Sequence, residues 1–226
     1  MLTASAEYAI KSARKHGNPF RACRQSYFKE TKRNLHNTMG GHHLILGQLI
    51  DYISGETLDD TLDERHRQGL GRLLVEQKGF AKTDIASRHE LEIHTENKCA
   101  QLLITYVVKM DGRIAMLVQY GPGSLVTRHR PSLAMARLVA DYQVPVVVVS
   151  NGVDADILKG GDGSRLAAGL AHIPTHDQLK EISAQHTWDA IDRQRAEMEI
   201  RILMAYEVDG RCPCDDSTCK IESKDA

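Results

Sequence analysis

No apolar stretch of this 226-residue chain approaches the roughly 20 residues that a membrane-spanning helix needs. Its first residues also lack the order of a secretory signal, a charged start followed by an apolar run and a small-residue cleavage site. The expectation is a soluble, cytoplasmic protein. A bulk charge of either sign is missing too: Lys and Arg number 29, Asp and Glu 30, and the net charge is −1. Such a chain is not a polyanion binder as a whole, so any contact with nucleic acid needs a local basic patch. No GxxxxGK followed by Ser or Thr occurs, so no phosphate-cradling loop and no nucleotide cofactor are expected. Repeats, coiled-coil heptads and low-complexity tracts are absent. The five cysteines are an odd number in a chain without an export signal, which argues against a disulfide framework.

What is present suits one domain with trimmings. At 42% hydrophobic residues the chain can bury a core. Residues 1–38 form a basic arm, in which Lys11, Arg14, Lys15, Arg21, Arg24, Lys29, Lys32 and Arg33 face only Glu7 and Glu30. Such an arm reads as a solvated, partly disordered segment or as a nucleic-acid-binding one. Ordered patterning begins just after Met39, which makes Met39 an alternative start. Residues 39–206 carry the domain, and residues 207–226 form a polar, Cys-rich tail.

Within the domain, residues 43–53 are apolar at helical spacing up to Ser54-Gly55. Residues 58–78 predict a helix, with Thr57 as its cap, Asp59, Asp60, Asp63 and Glu64 near its positive end, and Gly79 as its stop. Leu91 and Ile93 alternate with polar residues, as in a half-buried strand. Residues 103–108 and 114–118 are strands rich in branched side chains, joined by a hairpin turn at Asp111-Gly112. Pro131 suits the first turn of a helix over 132–142, and residues 146–149 are a short apolar strand. A small hairpin over 156–158 and 164–166 follows, and then helices over 175–183 and 188–206.

This order resembles the N-terminal nuclease domain of type I restriction enzyme R subunits, a branch of the PD-(D/E)xK superfamily. The segments that carry the likeness are Glu64-Arg65-His66-Arg67-Gln68 leading to Lys78-Gly79-Phe80, Asp111-Gly112-Arg113 before an apolar strand, and residues 146–149 running into Ser150-Asn151-Gly152. The resemblance implies an α/β, restriction-endonuclease-like core with a mixed central sheet flanked by helices. It also implies a Mg²⁺ site made by an Asp and a Glu-x-Lys on the hairpin, often with a helical Glu. There the metal polarises the scissile phosphate and activates water. Counted back from Gly112 without a gap, the family Asp falls on Thr105, and the Glu-x-Lys falls on Gln119-Tyr120-Gly121. Only Glu64 matches. Gln119 keeps an oxygen without its charge, and Lys109 or Arg128 could supply the missing cation from elsewhere.

The loop over 121–130 combines glycines, hydroxyls and arginines before a helix start, an arrangement that suits an anion. Ser124, Thr127, Arg128 and Arg130, with Arg67 and Gln68, are therefore the candidate nucleic-acid contacts. Arginines paired with acids in an ordinary polar loop are the bland alternative. In the tail, Cys212, Cys214 and Cys219 stand within eight residues and, with Cys99, could wrap Zn²⁺ or an iron–sulfur cluster. The layout of one cysteine before and three after the core is similar to that of RecB-like iron–sulfur nucleases, although CxC replaces their usual CxxC. Idle or redox-active thiols are the alternative reading.

Three functions follow. The leading expectation is a nuclease fold with a degenerate centre that binds DNA, RNA or a protein partner. The second is a divergent Mg²⁺-dependent endonuclease using Glu64 and Gln119. The third is a metal- or redox-responsive regulator using the Cys tail. A homodimer is compatible with all three.

Overall fold

The computed structural model describes residues 44–95, 98–209 and 218–222. The basic arm, Cys212 and Cys214 therefore lie outside the described residues.

The first element is not the helix expected over 43–53. Gln48–Ile50 (β1) pairs antiparallel with Thr57–Asp59 (β2), a separate two-stranded hairpin. The Asp51 carboxylate accepts hydrogen bonds from the Ile53 and Ser54 amides, at 2.7 and 3.2 Å. That is the local turn by which Asp competes with a helix. Thr57 is consequently a strand residue and not a cap. The cap is Thr61, whose hydroxyl accepts from the Glu64 amide at 3.1 Å, and α1 runs Leu62–Arg72. The chain winds on as a π-turn over Leu73–Gln77 and stops at Gly79 with φ +78°, where the expected helix stop stands.

A seven-stranded mixed sheet forms the centre. Six of its strands run in the order β3 (Ile85–His94), β4 (Lys98–Met110), β5 (Arg113–Tyr120), β6 (Val146–Ser150), β7 (Ala155–Lys159) and β8 (Arg165–Ala168), and the seventh joins β4 off this path. The β4–β5 turn places Asp111 and Gly112 at φ 50° and 79°, the left-handed pair that a tight hairpin requires. Between β5 and β6, which run parallel, lies α2 (Leu125–Leu138). This helix begins seven residues earlier than Pro131 suggested, and the proline sits inside it. Residues 131–137 are all buried, and that packing outweighs the one hydrogen bond Pro131 cannot donate.

Two helices follow the sheet. Helix α3 (His176–Gln185), expected over 175–183, starts in a capping box of Thr175 and Gln178. Helix α4 (Arg193–Leu203) starts five residues later than expected, because Trp188 adopts φ +56° and Asp192 supplies the cap. The tail is not wholly irregular either: Thr218–Glu222 (β9) pairs antiparallel with the start of β4.

The sheet is covered on both faces. Leu117, Val147 and Val149 pack with Leu133, Met135 and Leu203 on the α2/α4 side. Met116, Val146 and Val148 pack with Leu70, Leu74 and Leu179 on the α1/α3 side. Sandwiching between two helix layers explains why β5 and β6 read as unbroken apolar runs. No helix among the described residues is long and apolar enough to cross a membrane.

Candidate functional site

Strand alternation breaks at Thr105, the position onto which the resemblance carries a metal-binding Asp. Ile104 belongs to the α2/α4-side core and Tyr106 to the α1/α3-side core, although residues two apart normally share a face. The switch occurs at Thr105. On β3 the same switch separates Ile85 from Leu91 and Ile93. It coincides with Arg88 at φ +50°, flanked by the pairs Ser87–Tyr106 and His89–Ile104. A left-handed arginine inside a strand is sterically costly, and such positions gather at functional sites.

Thr105 and Gln119 close on one another. The Thr105 amide donates to the Gln119 side-chain oxygen at 3.0 Å, and the Thr105 hydroxyl accepts from the Tyr120 amide at 3.0 Å. The Gln119 oxygen, expected as a neutral metal ligand, thus already accepts a backbone hydrogen bond. Tyr120 in turn donates its hydroxyl to Asp63 at 2.8 Å. Its ring stacks with His66 and carries the Arg67 guanidinium 5.2 Å from its centroid. Burial, followed by the hydrogen bond to Asp63, pushes the Tyr120 phenol well above its ordinary range, so it stays a donor.

Glu64 is buried and crowded with cations. Its Oε1 accepts from Gln68 Nε2 at 2.8 Å, and its Oε2 accepts from Arg67 at 3.1 Å and from Arg88 at 2.7 Å. Gln68 is itself buried and accepts from the Tyr52 amide at 2.7 Å, so it braces Glu64 and faces no solvent. Tyr106, held by a 2.8 Å hydrogen bond to the Arg67 carbonyl, lies close by. Burial, helped by the charges of Asp51 and Glu64, raises its phenol far above the usual value.

Gly121 is the position onto which the resemblance carries a lysine. A side chain there would meet Arg128, whose Nε lies 3.2 Å from the place of a Cβ. The missing side chain leaves room for a guanidinium in its stead. Lys109 does not reach the site, because its register partner is Ile114 beside the hairpin turn.

The expected anion loop is mostly helix. Ser124 occupies the cap position without a side-chain cap bond, and the Thr127 hydroxyl donates to the Ser124 carbonyl at 2.8 Å. Arg128 lies 3.8 Å from Glu207, and Arg130 lies 2.5 Å from Glu199. Both arginines remain more than a third exposed. The structure therefore gathers Glu64, Arg67, Gln68 and the Thr105–Gln119 pair around Tyr120, with Arg128 over Gly121. Arg130 points instead to the α2–α4 seam. Sequence reasoning missed Arg88, His66, Asp63 and Tyr120. The last three sit beside motif residues, but nothing in the sequence marks the backbone of Arg88.

A divalent metal does not fit these residues. Both Glu64 oxygens are engaged, two arginines lie against the carboxylate, and Thr105 and Gly121 offer no charge. Among the described residues no group of three or more His, Cys, Asp or Glu side chains is placed to hold a metal ion. At the far end of β4, the register sets Cys219 opposite Gln101 and Cys99 opposite Ile221.

The type I restriction enzyme R protein N terminus family (HSDR_N) matches residues 62–174. The chain belongs to that family. The match opens on the first residue of α1 and ends just before the Thr175 cap of α3, so it contains the polar cluster and the whole β3–β8 sheet. The β1–β2 hairpin, α3, α4 and β9 lie outside it. No curated protein and no solved structure matches the chain.

Proposed function

We propose that this HSDR_N domain binds a nucleic acid through its phosphate backbone and does not cleave it. The observation that carries the reading is the closure of the family's metal position. Thr105 and Gln119 satisfy each other and the hairpin backbone, and the one matching acid, Glu64, is neutralised by Arg67 and Arg88. A hard cation needs anionic oxygens that are open to it. What this cluster offers beyond its single buried carboxylate is guanidinium, which suits phosphate. Arg128 over Gly121 adds a further cation at the hairpin end.

Binding of single- and double-stranded DNA and RNA over a range of salt, with EDTA present, tests the reading. Expected is affinity that falls steeply with salt and does not depend on metal, and that weakens in Arg128→Gln. Salt-insensitive binding, or none, would sink it.

Two other readings keep a supporting observation each. Arg128 restores a cation where the family lysine is lost, which favours a rearranged Mg²⁺-dependent nuclease. The pairing of β9, which carries Cys219, with the start of β4, which carries Cys99, favours a thiol-based regulator, for which metal content measured on anaerobically purified protein and on Cys99→Ser is the test.

A further inference from the structure

We infer that Arg67 and Arg88 form a two-guanidinium cradle for one phosphate group of a nucleic acid, and that Glu64 is its internal stand-in for that phosphate. The inference rests on the nucleic-acid-binding reading and deepens it.

Both arginines reach the same oxygen of Glu64, at 3.1 and 2.7 Å, so their guanidinium groups converge on one point. Neither is sealed off: their side chains are 24% and 33% exposed, while that of Glu64 is 3% exposed. The carboxylate sits at the back and the arginines open to solvent. Each is held from a second direction, Arg67 by the face of the Tyr120 ring and Arg88 by its left-handed backbone. The Nε of Arg88 is itself buried without a hydrogen-bond partner among the described residues, so the part of Arg88 that a ligand can reach is the exposed edge of its guanidinium. Two guanidinium groups carry +2 against the single charge of Glu64. Asp63, the neighbour of Glu64 on α1, accepts from the Tyr120 hydroxyl. A phosphate oxygen arriving from the solvent side would meet the free edges of both arginines and balance the remaining charge.

On this arrangement Glu64 competes with the ligand for the arginines. Its removal should therefore strengthen binding, the opposite of what a metal-ligating glutamate predicts.

The test titrates the full chain with a short single-stranded DNA, with and without a 5′-phosphate, at several salt concentrations. Thermal melting of each variant confirms folding. Glu64→Gln keeps the shape of the carboxylate and should bind about tenfold tighter. Arg88→Gln should bind about tenfold weaker, with a salt slope reduced by about one. Arg67→Gln should repeat that loss, and it keeps the test alive if Arg88→Gln does not fold. Equal affinity for the two DNAs assigns the cradle to a backbone phosphodiester, and preference for the phosphorylated one assigns it to a chain end. Weaker binding by Glu64→Gln, or unchanged affinity and slope in both arginine variants, overturns the cradle while the wider reading survives. Absence of binding by the wild-type chain overturns both.

Discussion

Arg130, Arg137 and Arg195 converge on the Glu199 carboxylate, which is wholly buried between α2 and α4. Burial alone would raise the Glu199 carboxyl, but hydrogen bonds from Arg130 and Arg195 and the charges of Arg130 and Arg137 outweigh it. They hold the group below its ordinary 4.5. A carboxyl whose value is lowered by folding contributes stability above its unfolded value, and that contribution is lost as pH falls through the folded one. Glu199→Gln should therefore be less stable than wild type at neutral pH and converge with it in acid below pH 4.5. Urea unfolding across pH reads this out, and parallel curves would contradict it. Glu199→Ala leaves Arg137, only 4% exposed, without its partner and should cost about 3–5 kcal/mol. Arg195→Ala, at a 43% exposed side chain, should cost under about 1 kcal/mol. At this scale the sequence was a partial guide. Glu64, Arg67 and Thr105 could be singled out because they stand in or beside motif positions. The engagement of Arg130 with a residue 69 positions away could not be read, because it depends on how α4 docks.

Two glycines show how tightly the elements meet. A Cβ on Gly160, at the end of β7, would stand 1.7 Å from the Val144 carbonyl oxygen, where no side-chain adjustment relieves it. Gly160→Ala should cost about 3 kcal/mol, the upper end of overpacking, visible as a lowered midpoint in thermal or urea unfolding. Gly152, in the turn after β6, has φ +86° and abuts His66, with a Cβ only 2.4 Å from its Nδ1. Gly152→Ala should displace His66 from the Tyr120 ring and weaken nucleic-acid binding more than it lowers stability. An unchanged dissociation constant would contradict that coupling. Strands with unbroken branched runs were legible at this scale because burial on both faces leaves a local pattern, whereas the caps of α1 and α4 were not read: Thr61 and Asp192 supply them. The stretch over 43–53 misled for a physical reason. The stretch as a whole reads as helical, yet its apolar residues Leu44, Ile45, Leu46 and Ile50 are all 46% exposed or more. Their periodicity therefore reports no buried face, and the Asp51 turn decides the conformation. Helix α2 was read short because Pro131 is a helix-start signal, and the packing of residues 131–137 overrides it.

Across the whole molecule, a sheet of mixed direction lies between two helix layers, and the family match covers the part that carries the polar cluster. The order of elements was enough to place the chain in its family. The site was harder, because what a position can do is set by its neighbours in space. Thr105, Gln119 and Gly121 are unremarkable as letters. Their meaning comes from the hydrogen bonds that close them and from Arg88 and Arg128, which arrive from other elements. The pairing of β9 with the start of β4 lay equally outside sequence reasoning, since it joins segments more than a hundred residues apart. The central claim is that this centre holds phosphate and not a catalytic metal. The most direct measurement incubates the full chain with single- and double-stranded DNA and RNA in Mg²⁺ or Mn²⁺, and follows binding and cleavage together, for wild type and Glu64→Ala. The account predicts binding by the wild-type chain and intact nucleic acid throughout. Metal-dependent cleavage by wild type that Glu64→Ala abolishes would contradict it and make the domain a divergent nuclease.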